Sequence, residues 1–204
     1  MKIISYIQIK QQQAWLNGEA LDLNLEDNTF LKAIYKHLGL KYPKFYKMDE
    51  LSKLGFIASE LLLQNEASKK AIASLDSSKI GIVLQNSDST IDVDSSFYDS
   101  IIDEQKHFPS PALFVYTLPN IVLGEISIRN KFMGENALFI FEKYNAEFGL
   151  SYINNLVEKN KIEACLGGWF NANNGDYEAF LYFVAPGNTT ENEHTIENIL
   201  KKNI

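Results

Sequence analysis

The chain has 204 residues, 46% of them hydrophobic and 12% aromatic, which suits a packed globular protein and excludes a disordered one. Its formal net charge of -7, with Arg129 as the single arginine, lacks the clustered cations that a nucleic-acid binder needs. One cysteine precludes an internal disulfide framework, no apolar run approaches the roughly 20 residues of a membrane span, and Ser5, Gln8 and Lys10 interrupt the N-terminal apolar stretch, so a cytoplasmic protein is expected.

Lys2–Ile9 is rich in isoleucine and predicts a buried strand. Gln11–Asn28 is polar, with a turn signal at Asn17-Gly18. Phe30–Leu38 predicts a short helix, and Pro43 marks a break after it. Lys41, Lys44 and Lys47 form a local basic cluster that reads as a solvated loop. Asp49 is suited to cap a helix running to about Gln64, with Leu51, Leu54, Ile57, Leu61 and Leu62 on one face.

Lys79–Leu84 is a short apolar run fit for a strand covered on both sides. Asn86–Ser96 reads as a Ser/Asp-rich loop and Phe97–Glu104 as a helical turn or more. The next helix ends near Asn130. Pro119 would clash inside a helix begun at Leu113, so the helix either starts near Leu118, with Pro119 in the first turn, or kinks there, and the late start is expected.

Ala137–Phe141 predicts a strand, and Ala146–Glu158 a helix with Phe148, Tyr152 and Leu156 inward, Ile153 and Val157 as further inward candidates, and Asn160 as a left-handed cap. Ile162–Phe170 and Tyr177–Ala185 predict strands joined by turn residues from Asn171 to Gly175, with Pro186-Gly187 ending the second. Glu191–Lys202 has a weak helical pattern. The order β–α–β–α–β–α–β–β predicts an α/β fold, one domain over residues 1–204, with helices on both faces of the sheet.

Several short motifs stand in a suggestive order. They are Lys47-Met48-Asp49 before the first long helix, Lys79-Ile80-Gly81, Ser110-Pro111 with Thr117 and Asn120 after it, Gly134, Gly167-Gly168, and the strand Glu178–Val184. In this order and spacing they resemble the N-terminal half of a β-ketoacyl synthase of the thiolase-like fold. The phrases YPKFYKMDELSKLGF and FPSPALFVYTLPNIVLGEI are similar to the chain-length-factor-like subunits of aryl polyene and flexirubin-type pigment clusters.

The resemblance implies a thiolase-like half-fold with a mixed five-stranded sheet, the C-terminal catalytic half being absent. Such subunits are noncatalytic partners of a full-length ketosynthase in fatty-acid and polyketide-type biosynthesis. They meet the acyl carrier protein indirectly, and neither cofactor nor metal is expected.

Counting nine residues on from Gly134, the family's cysteine nucleophile position holds Lys143. An amine cannot carry the acyl group, because an acyl-lysine amide would not turn over. Cys165 reads as a small buried thiol in a strand. His37, His107 and His194 lie in no motif matching the family's two catalytic histidines. The chain is therefore expected to be no enzyme by itself. The alternatives are an acyl-thioester decarboxylase or hydrolase with an altered site using Lys143, Glu142 or a tyrosine, or a homodimeric acyl-binding scaffold.

The resemblance also implies that Ala137, Leu138, Phe139, Ile140 and Phe141 form an interface strand pairing with the partner, with Asn120 beside it. Leu113, Phe114 and Tyr116 become candidates for the wall of an acyl tunnel. A possible homodimer is expected when the chain is alone.

Overall fold

The computed structural model describes residues 1–23, 29–102, 109–173, 175–187 and 192–203. Its frame is a seven-stranded mixed sheet in the order β3-β2-β1-β7-β6-β4-β5. The strands are β1 Lys2–Lys10, β2 Gln13–Leu16, β3 Glu19–Ala20, β4 Ile80–Asn86, β5 Asn136–Ile140, β6 Ala164–Asn173 and β7 Asp176–Ala185. Parallel pairing joins β4 to β5 and to β6, while β6–β7, β7–β1, β1–β2 and β2–β3 are antiparallel.

Five of these strands are the expected ones. The added pair, β2 and β3, corrects the reading of the chain after Gln11 as polar without strands, while the turn signal at Asn17-Gly18 is the turn between them. Asn17 and Gly18 both adopt positive φ, 54° and 87°, which turns one strand directly back on the next. The hairpin was obscured because β2 buries only Ala14 and β3 buries nothing.

The helices are α1 Phe30–His37, α2 Glu50–Leu63, α3 Glu66–Ala73, α4 Ile91–Ile102, α5 Pro111–Tyr116, α6 Ile121–Asn130, α7 Ala146–Glu158 and α8 Ile196–Lys202. Asp49 caps α2 by accepting from the amides of Leu51 and Ser52 at 3.1 and 3.3 Å. The expected single apolar face of α2 is too narrow: twelve of its fourteen residues are buried, because α1, α6 and the sheet enclose it. α3 packs beside β1, where Ser5 and Ser68 share a buried hydrogen bond of 2.6 Å.

Two further expectations are corrected. The Asn86–Ser96 loop is helical from Ile91, because the Thr90 carbonyl accepts from the Asp94 amide at 2.8 Å and the early aspartates suit a helix N-terminus. Pro119 is not in the first turn of α6 but precedes Asn120, the residue at its N-cap. A separate short helix, α5, begins with Pro111 in its first turn, and Ser110 Oγ accepts from the Leu113 amide at 3.3 Å.

The sheet separates two cores. Ile80, Ile82 and Leu84 of β4, Leu166 and Phe170 of β6, and Leu181 and Phe183 of β7 face α2. Val83, Cys165, Phe180, Tyr182 and Val184 face α7 and α8. This two-sided burial is why the central strands read as continuous apolar runs. A register shift between Ile3 and Ser5 changes the phase of β1, so Ile3 belongs to the second core and Ile7 and Ile9 to the first.

His107 and the Asn188-Thr189-Thr190 segment lie outside the described residues. No described helix is long and apolar enough to cross a membrane.

Candidate functional site

β5 is the last strand of the sheet, parallel to β4 in a register that pairs Leu84 with Leu138 and Asn86 with Ile140. Its start is fixed by a close backbone approach. A Cβ on Gly134 would lie 2.5 Å from the Ile80 carbonyl oxygen, so only glycine lets this segment reach β4. Among the described residues, no strand pairs with the other side of β5.

Alternation along β5 is as expected. Leu138 packs against the first core, whereas Phe139 packs against the second. Phe139 makes edge-to-face contacts with Phe148 and Tyr152 of α7 at ring distances of 4.7 and 4.9 Å, and Phe141 reaches Phe148 at 5.1 Å. Phe148 and Tyr152 therefore lie over the edge strand, half-buried; the buried positions of α7 are Ala146, Gly149, Ile153 and Leu156, the last two among those expected inward. Ile140 is 48% exposed.

The chain then turns through Phe141–Asn145 into α7. Two anchors hold this elbow. The Phe141 amide donates to the Asn86 carbonyl at 2.9 Å. The buried Gln85 amide clasps the Asn145 backbone, its Nε2 donating to the carbonyl and its Oε1 accepting from the amide, both at 2.9 Å. Asn145 caps α7 by accepting from the Phe148 amide at 3.0 Å.

Lys143 lies two residues before that cap, exposed, and among the described residues it forms no ion pair with Glu142 or Glu147. The side chain sits in the bend, in solvent. The elbow and α8 together line a cleft of about 670 Å³, walled by Phe141, Lys143, Tyr144, Glu147, Ile196 and Leu200 among others.

Beneath the elbow is a polar column that sequence reasoning missed. The Tyr144 ring packs on Phe180 at 5.9 Å and near Trp169 at 6.3 Å, and its buried hydroxyl has no well-formed hydrogen bond. Burial raises its pKa, as it does for Tyr182. His194 packs on the Tyr182 ring at 5.4 Å, both its nitrogens lack hydrogen-bond partners among the described residues, and burial lowers its pKa to about 4. These residues come from three distant segments, and no local motif announces their meeting. Trp169, buried beside Gly168, is part of this layer.

Cys165 is fully buried in β6, and desolvation raises its thiol pKa, the opposite of an activated nucleophile. Gly168 has φ +137°, and a Cβ there would lie 2.1 Å from the Phe180 carbonyl oxygen, which accounts for the second glycine of the Gly167-Gly168 pair.

The tunnel candidates are not brought together on one surface. Tyr116 is buried in the first core, Leu113 is half-buried, and Phe114 is 54% exposed, its ring 5.6 Å from Phe97 of α4. Asn120 is exposed, and its side chain makes no capping bond. Of the basic cluster, Lys44 and Lys47 lie in a 3₁₀ turn, Pro43–Lys47, in which Lys44 reaches Glu125 at 3.4 Å and Phe45 is fully buried.

No family model and no curated protein matches the chain. Solved structures do. The ishigamide ketosynthase/chain length factor superposes with a TM-score of 0.63 and 13% identity, over 94% of this chain and 63% of that one. A ketosynthase of a type II polyketide system, solved with its acyl carrier protein and bound to the hexaketide, gives 0.60 and 14%, over 89% and 61%. The complex of the ketosynthase ApeO with its chain length factor ApeC, from Xenorhabdus doucetiae, gives 0.56 and 13%, over 92% and 80%. The chain thus has the mixed α/β, thiolase-like fold of these proteins, and it spans less than two thirds of the length of the first two.

Proposed function

We propose that this chain is a noncatalytic, chain-length-factor-like subunit that pairs with a full-length ketosynthase and helps wall the acyl chain that enzyme extends. The observation that carries this reading is the elbow. The strand-to-helix turn is anchored by Gln85, but it presents an exposed Lys143 in place of a thiol. Transthioesterification needs a thiolate beside an oxyanion site, and the one cysteine here is fully buried, where desolvation raises its thiol pKa.

The proposed contact is β5. Its outer edge carries unpaired backbone groups, no proline and no charge between Asn136 and Ile140, so it lacks the usual protection against strand addition. Antiparallel addition of a partner strand would extend the sheet and cover Ile140 and the neighbouring ring cluster of Phe139, Phe141, Phe148 and Tyr152. The named neighbours are ketosynthases and chain length factors, which supports a partner of that kind, and the similarity of two sequence phrases to aryl polyene subunits suggests the pathway class.

Co-expression with a full-length ketosynthase of such a pathway tests the reading. The expected result is a stoichiometric complex that Phe139→Asp disrupts while the isolated variant keeps its circular dichroism spectrum. If the chain purifies as a stable monomer beside that ketosynthase, or if the variant still forms the complex, the edge-strand role is wrong.

A further inference from the structure

α4 carries two apolar stripes on opposite sides. At about 100° per residue, Val93, Phe97 and Ser100 fall on one side of the helix, while Ile91, Tyr98 and Ile102 fall on the other. The first side is seated on the molecule. Val93 is buried, the Phe97 ring meets Phe114 of α5, and Thr90 Oγ1 donates to the Thr117 carbonyl at 3.1 Å. The second side faces solvent: Ile91 is 55% exposed, Tyr98 59% and Ile102 51%.

A surface helix ordinarily turns charge outward and keeps one apolar stripe for the core. Here the outward stripe is apolar and the charge is at its margins. Helical spacing puts Asp94 on one flank and Asp92 and Asp99 on the other. From Asn86 to Ile102 the sequence holds four aspartates, Asp88 included, and no lysine or arginine. Of the twelve residues of α4, Val93 alone is buried, so packing supports this helix far less than it supports α2.

We propose that the outward face of α4 docks a helix of a different protein, one whose apolar stripe is flanked by lysine or arginine. The spacing of Ile91, Tyr98 and Ile102 suits ridge-into-groove packing against another helix. The acidic margins select the partner. A second copy of this chain would bring aspartates against aspartates between molecules of net charge -7. An anionic bilayer would be repelled by the same groups. The face is separate from β5 and does not depend on the ketosynthase reading.

The test uses the full chain and two fluorescent synthetic helices of ~18 residues with the same leucine stripe, one flanked by lysines and its twin by glutamates. The lysine-flanked peptide is expected to bind about tenfold or more tightly than its twin, with affinity falling as salt rises. Tyr98→Lys and Ile102→Lys should each weaken that binding about tenfold, and because both side chains are more than half exposed neither should lower the thermal midpoint appreciably. Failure of the lysine-flanked peptide to bind, equal binding of the two peptides, or binding unmoved by both variants would overturn the proposal. So would a concentration-dependent dimer of the wild type that Tyr98→Lys abolishes, since that assigns the face to a second copy.

Discussion

The two sides of the sheet are built to different standards. On one, α2 buries twelve of fourteen residues, and even its fully buried Glu60 is met by Arg129 Nε and Nη2, each 3.1 Å from Oε2. On the other, α7 buries four of thirteen, and the rings of Phe139, Phe141, Phe148 and Tyr152 remain partly open beside the unpaired edge of β5. α2 itself has little left to bind; on that side the outward stripe of α4, whose Val93 reaches the same core, is apolar surface still open. The second side has apolar surface and backbone hydrogen-bonding capacity still unused, and it is also where the elbow and its cleft lie. Binding capacity lies where packing is incomplete, at the edge of β5 and, on the other side, at the outward face of α4.

The largest effect should come from breaking the complete side. Leu54 of α2 is fully buried, so Leu54→Ala leaves a cavity and should destabilise the chain by about 2–5 kcal/mol, read as a lower urea midpoint. Ile140→Ala on the open edge, where the side chain is 48% exposed, should fall within about 1 kcal/mol in the isolated chain. Equal losses would erase the distinction between the enclosed helix and the open edge.

A second difference lies in pH. His194 is buried beside Tyr182, with the N-terminal ammonium acting on it and the Lys2–Glu193 ion pair next to it in the chain. Its folded pKa, about 4, is below the unfolded value near 6.5, so the unfolded state binds the proton first as pH falls. The stability that the neutral imidazole supports is complete above about pH 6.5 and declines toward pH 4, by about 3 kcal/mol at most. His194→Phe keeps a ring against Tyr182 and should flatten the urea-midpoint profile across that window. An unchanged profile would show that the imidazole titrates normally.

Next is the clasp beneath the elbow. Gln85→Leu removes both 2.9 Å bonds to the Asn145 backbone and should cost about 1–3 kcal/mol, with faster hydrogen exchange at the Asn145 amide. Exchange that stays slow would mean that the elbow is held by the rest of α7 and not by Gln85.

The complete side was the more legible one in sequence. The Asp49 cap, the run of leucines behind it and the unbroken apolar stretch at β4 each carry their structural meaning locally. β5 and α7 were equally readable as elements, and Asn160 takes the left-handed conformation its position called for, φ 54°. What sequence concealed has common physical causes. α3 buries a single residue, Ser68, and so shows no apolar period. The first turn of α4 is written in residues that also make loops, because Thr and Asp stabilise helix starts for the same reason that they stabilise turns. The meeting of Tyr144, Tyr182 and His194 depends on sheet register, which no single segment encodes. Gly134 was read as a family mark; its geometric need, the approach to Ile80, became visible only with both strands in place.

The smallest expected effect is the one on which the functional reading turns. Lys143 is exposed and without an ion pair among the described residues, so Lys143→Ala should shift stability by less than about 0.5 kcal/mol. On the noncatalytic reading it should also leave the synthase rate of a reconstituted ketosynthase complex unchanged, because no bond to the acyl group forms at this position. The alternative, hydrolysis or decarboxylation of an acyl thioester by the isolated chain, makes the contrary demand: turnover that Lys143→Ala abolishes. A solvated side chain in a bend is poorly suited to that work, since a lysine nucleophile or base is activated by burial or by a neighbouring cation, and Lys143 is exposed with Glu142 and Glu147 for neighbours. Measuring thioester release by purified wild-type chain and variant separates the two, and release confined to the wild type would move this protein from partner to enzyme.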